Sequence, residues 1–134
     1  MKKCIVLYEY WEMCCCGEEF SIDSKIKWPV CNANEINLPI KTDKIDYFYD
    51  AHSSEYDSLS ILEGTVKEIK ALYKKYECTE TIPKMLVPVD GKLYNINSSK
   101  DIEEKKENMD FSEYLVYIED FSIRQSEKKD ITFK

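Results

Sequence analysis

The chain is short of glycine, proline, arginine and histidine, and each shortage excludes something. Three glycines and four prolines in 134 residues leave little material for long flexible linkers. Together with a hydrophobic fraction of 43% and an aromatic fraction of 13%, they argue against disorder. Arg124 is the only arginine among 19 basic residues, which face 26 acidic ones for a net charge of -7. A nucleic-acid binder draws on a basic face and on bidentate guanidinium groups, so nucleic acid is not an expected partner. An acidic surface favours solubility and cationic partners. No apolar run approaches the roughly 18 residues of a membrane span, so no membrane association is expected. The opening "MKKCIVLYEYWE" is interrupted at Glu9 and has no small-residue cleavage site behind it, whereas a signal peptide needs a longer apolar region. The expected location is the cytoplasm, where six cysteines stay mostly reduced and a disulfide framework is the poorer reading. There is no phosphate loop, nucleophile elbow or dinucleotide fingerprint.

What is present reads mainly as β-structure. Residues 4–13, "CIVLYEYWEM", are β-branched and aromatic over one strand length, and Cys14 to Gly17 reads as the turn that ends it. In "FSIDSKIKWP", Phe20, Ile22, Ile26 and Trp28 alternate with lysines, with a bend at Asp23-Ser24 and a stop at Pro29. Residues 31–43 read as a loop, and "KIDYFYDAH" as a second aromatic run with Ile45, Tyr47 and Tyr49 alternating. Residues 61–76 fit two patterns. Val66, Ile69, Leu72, Tyr73 and Tyr76 make a helical face. Alternatively, Leu62, Gly64 and Val66 alternate as a strand, and a bulge puts Ile69, Ala71 and Tyr73 on the same face. Thr65-Val66 favours strand at the start. In "KMLVPVDGKLYNI", Asp90-Gly91 is a preferred two-residue hairpin turn, and Pro88 suits an edge strand. Ser98 with Asp101 resembles a capping box and predicts a short helix. "SEYLVYIEDFSI" predicts a last strand with Tyr114, Val116, Ile118 and Phe121 inward. The fold class predicted is a mainly β, small SH3-like or OB-like barrel of five to seven strands with one or two short helices; the alternative is α+β with a helix at 66–77. One domain is expected over 1–124, with 125–134 as a polar, frayed tail.

The candidate sites each have a plainer reading. In "WEMCCCGEEF", strand alternation puts Cys14 and Cys16 on one face and Cys15 on the other. Structural zinc takes thiolates spaced C-x₂₋₄-C, a spacing that is missing here, so zinc at Cys15 and Cys16 needs His52 from far along the chain. The plainer reading is that cysteine acts as a small hydrophobe in a tight turn, with Gly17 supplying a backbone conformation that other residues resist. His52 is the only histidine. Asp50, two residues earlier, would hold its tautomer, and a thiol beside it would make a nucleophile–base pair; a lone histidine is more often a hydrogen-bonded structural group. Tyr8, Tyr10, Trp11, Tyr47 and Tyr49 offer a stacking surface, and more simply the core and rim of a β-fold.

Trp11, Met13, Cys15, Cys16, Gly17, Phe20, Ile22, Ile26 and Trp28 together give the pattern W-x-M-x-C-C-G-x-x-F…W. This pattern resembles the signature of a family of small, uncharacterised bacterial proteins grouped as a domain of unknown function. Asp23-Ser24 stands where that family tends to have a glycine bend. "DYFYDAH" resembles its acidic segment ending in histidine, which singles out His52, and "GTVKEI" and "LVPVDG" resemble later strands. The likeness covers most of residues 5–95, implies a common fold and carries no activity. The function expected first is a non-enzymatic binding or interaction module; its partner is unknown, with a protein as the candidate. The alternatives are a metal or thiol site at Cys15, Cys16, His52 and Asp50, with zinc as the metal, and an acidic inhibitor or immunity-type protein.

Overall fold

The computed structural model describes residues 2–15, 17–33, 38–51 and 59–127. The elements are β1 (Lys3–Glu9), α1 (Tyr10–Cys15), β2 (Lys25–Asn32), β3 (Tyr47–Tyr49), β4 (Ser60–Cys78), β5 (Leu86–Ile96), β6 (Lys105–Lys106) and β7 (Met109–Gln125). They form one seven-stranded sheet in the order β5-β4-β2-β3-β1-β7-β6, and β4 also pairs with β7. The hydrogen-bonded order therefore returns on itself through β4, β2, β3, β1 and β7 as a partial ring, short of a barrel. The mainly β expectation holds, and residues 66–77 are strand throughout.

Two long strands build the ring, and both keep a core face by breaking their own alternation. On β4 the inward residues are Leu62 and Val66, then Ile69, Ala71 and Tyr73. The register against β7 shifts between Val66 and Glu68, so Lys67 is the extra residue that moves the inward set from even to odd positions. β7 does the same. Phe111 points inward opposite Tyr73, and a shift at the next pair hands the face to Tyr114, Val116 and Ile118. A further shift beside Asp120, whose φ is 52°, brings Phe121 back against the core.

The principal core lies within the ring and is largely aromatic. Tyr8 is its hub: its ring stacks on Tyr49 at 3.9 Å and 17°, with Phe20 at 5.5 Å, Trp28 at 5.2 Å and Tyr114 at 6.0 Å. A smaller cluster forms on the outer face, where Ile5, Leu7, Leu72 and Leu115 are covered by Ile45, Leu38 and Ile40. β1 is thus apolar on both faces, as expected of a central strand. On that outer face a buried ion pair joins Lys74 to Glu113 across β4 and β7. The Ser112 hydroxyl also donates to Glu113 at 3.0 Å. Such a pair is worth little net, but losing one partner strands a buried charge.

One end of the ring is stitched shut by the segment after the cysteine turn. Phe20 N donates to Ser99 Oγ at 3.0 Å, Ser99 N to Phe20 O at 2.8 Å, and the Tyr114 hydroxyl to Ser99 O at 2.7 Å. Ser98 and Asp101 belong to this turn, where Asp101 N donates to Ser98 O, and the helix expected there does not form. The single helix among the described residues is α1, where a strand was expected through Met13. Pro29 does not stop β2, which continues to Asn32. Its carbonyl accepts from Asp50 N just past the end of β3, so its missing N–H falls where that flank has no strand to pair. Asp90-Gly91 is not a hairpin turn either: β5 runs straight through it against β4. The tight turn is instead Glu107-Asn108, both at positive φ (51° and 63°), the geometry of a two-residue hairpin.

Gly64 is required for space rather than for flexibility. A Cβ there would lie 2.4 Å from Ile118 Cγ2, 3.1 Å from Phe121 Cβ and 3.2 Å from the Glu119 carbonyl. Gly64→Ala is expected to lower stability by about 1–3 kcal/mol, as overpacking does; an unchanged urea midpoint would contradict this packing.

Candidate functional site

The cysteine turn is attached directly to the hub of the core. β1 carries Tyr8 inward, and the chain then winds through α1. The helix ends in a backbone bond from Gly17 N to Glu12 O of 2.8 Å. Gly17 does not have a positive φ, so the conformational freedom expected of it is not what places it there. A Cβ at Gly17 would sit 2.0 Å from the Tyr8 hydroxyl and 2.8 Å from Met13 Cα. Glycine is there because the turn presses on a buried tyrosine.

Glu12 is the residue that sequence reasoning missed. It is only 3% exposed, and its Oε1 accepts a hydrogen bond from Ala51 N at 3.1 Å. That bond ties the segment after β3 to the helix that ends in Cys15. The signal was an acid set between Trp11 and Met13 in an otherwise apolar run, where a helix of little more than one turn can aim it inward.

The Tyr8 hydroxyl is fully buried and has no hydrogen-bond partner among the described residues. Burial first, and the neighbouring Tyr49 hydroxyl next, push its ionisation far above the usual tyrosine range. Glu12 also acts on Tyr8, and half-buried Asp50, after burial itself and ahead of Glu12, raises the Cys31 thiol. The site thus gathers a buried carboxylate, a second acid and an unbonded hydroxyl behind a cysteine turn.

Of the residues singled out from sequence, Cys16, His52 and the Cys15 side chain lie outside the described residues. The five aromatics divide. Tyr8 and Tyr49 belong to the core, Tyr10 and Tyr47 are half-buried against it, and Trp11 is 52% exposed. The Trp11 indole donates to the Glu9 carboxylate. No group of three or more His, Cys, Asp or Glu side chains that could hold a metal occurs among the described residues. Among the same residues, no helix is long and apolar enough to cross a membrane.

Two further features lie away from this turn. A cleft of about 420 Å³ is lined by Lys3, Cys4, Asp46, Lys67, Tyr117 and Glu119, among others. Its charges are matched: Lys3 meets Glu119 at 3.2 Å, Lys67 meets Asp23 at 2.9 Å, and Asp46 accepts from Ile5 N. Cys4 at its wall is pushed up to about 12, by burial and then by Asp46, which keeps it a protonated, inert thiol at neutral pH.

The second feature is an arm. β7 stops pairing with β4 at Lys74, while β4 and β5 continue together to Cys78 and Leu86. Tyr76 stands opposite Pro88, and Cys78 opposite Leu86, so these four share one face of the ribbon. Tyr76, Met85, Leu86 and Val89 are exposed, and Ile82 at the tip is 94% exposed.

The two buried tyrosine hydroxyls make a direct comparison. Tyr114→Phe removes a bond to Ser99 O and is expected to cost about 1 kcal/mol. Tyr8→Phe removes a desolvated group without a partner and is expected to leave the urea midpoint unchanged or to raise it. Equal losses in the two variants would mean that the Tyr8 hydroxyl is bonded.

Comparison with known proteins places the chain at the level of a family. A family model described as "Family of unknown function (DUF6578)" matches residues 2–120. No curated protein and no solved structure matches the chain. By the extent of that match, the chain belongs to DUF6578, a family of unknown function.

Proposed function

We propose that this protein is a non-enzymatic binding or interaction module that presents the β4–β5 arm. One observation carries the reading: a two-stranded ribbon leaves the body of the sheet with exposed apolar side chains at Tyr76, Ile82, Met85, Leu86 and Val89. A hairpin on its own is marginal in water, and contiguous exposed apolar surface marks interaction sites. The Tyr8–Tyr49 group serves the core, so the binding surface is set on the arm rather than on those aromatics. A photoreactive phenylalanine analogue in place of Leu86, in the protein's own cells, is expected to give discrete cross-linked adducts. The same analogue in place of Lys27, exposed on β2, is expected to give none. Absence of adducts from position 86 would overturn the reading.

A second reading is a metal or thiol site at Cys15, Cys16 and His52, with Asp50 as the orienting carboxylate. Its support is the Glu12–Ala51 hydrogen bond, which fastens the residue before His52 to the helix whose last residue is Cys15. Protein purified without chelator is then expected to carry about one zinc per chain, as a single site requires, and Cys15→Ser and His52→Ala should each lose it. Metal-free protein whose thiols all react only on unfolding would remove this reading.

A further inference from the structure

We propose that the β4–β5 arm is a separately opening unit: its two strands part and re-pair while the ring stays folded, and the buried Lys74–Glu113 ion pair is the stop at which the opening ends. This concerns the motion of the arm and does not rest on what the arm binds.

The division between ring and arm is sharp. Ile69, Ala71, Leu72 and Tyr73 are buried, and there β4 is a middle strand, held by β5 on one flank and β7 on the other. From Lys75 to Asp90 no residue is buried. Over that stretch each strand pairs only with the other among the described residues.

The ladder of the arm is also short. Tyr76, Glu77 and Cys78 face Pro88, Val87 and Leu86. Past them Thr79 N donates to Met85 O at 2.8 Å, and Met85 N to Thr79 Oγ1 at 3.0 Å. The register shift between Lys75 and Tyr76 leaves Val89 without a partner and breaks the ladder at the root. A hairpin alone is marginal in water. A segment with few buried contacts and solvent-exposed backbone bonds lies at the low end of local opening free energies.

The root is different. Lys74 is the last β4 residue paired with β7, opposite Asp110, and it stands opposite Gly91 on β5. Its ammonium meets the Glu113 carboxylate, with the two side chains 13% and 7% exposed. The Ser112 hydroxyl donates to the same carboxylate. Parting the strands as far as Lys75 uncovers nothing buried. Parting them past Lys74 takes the lysine off Glu113 and leaves a buried carboxylate without its cation, which is strongly unfavourable. Leu72 and Tyr73 resist further in, so the ion pair is the outermost barrier the opening meets.

Native-state hydrogen exchange of the full chain, read residue by residue by nuclear magnetic resonance, tests this. The amides of Thr79, Met85 and Val87 are expected to be protected about 2-fold to 50-fold over a free chain, as a marginal hairpin is. Those of Ile69, Ala71 and Val116 are expected to be protected at least about a thousandfold, as the folded ring requires. In Glu113→Gln the fast exchange should spread inward to residues 73–75 and 90–92, at least tenfold, with Val116 and Ile5 changed far less. Gly64→Ala gives the contrasting pattern, a loss shared by all the ring amides. Arm amides as protected as Ile69 would overturn the proposal, because the arm would then open only with the whole. Arm amides with no protection would overturn it as well, because the strands would not be paired. The ion pair is not the stop if Glu113→Gln leaves residues 73–75 unchanged, or if its losses follow the even pattern of Gly64→Ala.

Discussion

The structure depends on one constraint: β4 and β7 must pair along almost their full lengths while each keeps an apolar face turned inward. Strict alternation over so long a strand would give a flat ribbon. Each register shift inserts one residue, turns the strand and returns the apolar set to the inside. The bends let β4 take β2 on one flank and β7 on the other, and that double pairing brings the order of strands back on itself. The aromatic core, the outer cluster over β1 and the position of α1 all sit on that frame.

Much of this was legible in the residues, and the failures have physical causes. The switch from Leu62–Val66 to Ile69–Tyr73 could be read because a bulge moves a visible pattern by one place. The inward set Tyr114, Val116, Ile118 and Phe121 was visible for the same reason, and so was Pro88 at an edge. Asp90-Gly91 misled because a strong turn signal is only a local preference. The long partner β4 holds β5 extended there, and Gly91 instead admits a close approach, with a Cβ placed 2.9 Å from the Tyr73 carbonyl. Tyr10 to Met13 misled because β propensity reports a fit to a half-buried sheet, and no sheet position is available beyond Glu9. Ser99, whose hydroxyl accepts from the Phe20 backbone N–H and whose carbonyl accepts from the Tyr114 hydroxyl, has no sequence signal apart from its neighbours. Glu12 escaped because a single acid in an apolar run looks like a solvent-facing interruption until the helix turns it inward.

Two regions of the molecule have opposite characters. Around α1 the chain is pressed on the core, with no room at Gly17 and with Glu12 bonded to Ala51. The arm is the reverse, a ribbon that departs from its neighbours and leaves apolar side chains in water. A packed junction suits a structural role. An exposed ribbon suits recognition, and the two need not serve the same end.

The placement of β1 has a consequence for how the chain comes to be folded. β1 pairs with β7 from Lys3 opposite Glu119 to Glu9 opposite Glu113, joining nearly the two ends of the described chain. During synthesis the first strand to emerge is apolar on both faces and has to wait for the last one. Such non-local closure makes folding slow, and a waiting apolar strand is exposed to aggregation. Among the described residues the one earlier partner is β3, three residues long and parallel, which shelters one edge of β1 and leaves the other open until β7 arrives. The molecule is therefore vulnerable at birth in a way the finished sheet does not reveal, and its assembly is timed by the final strand.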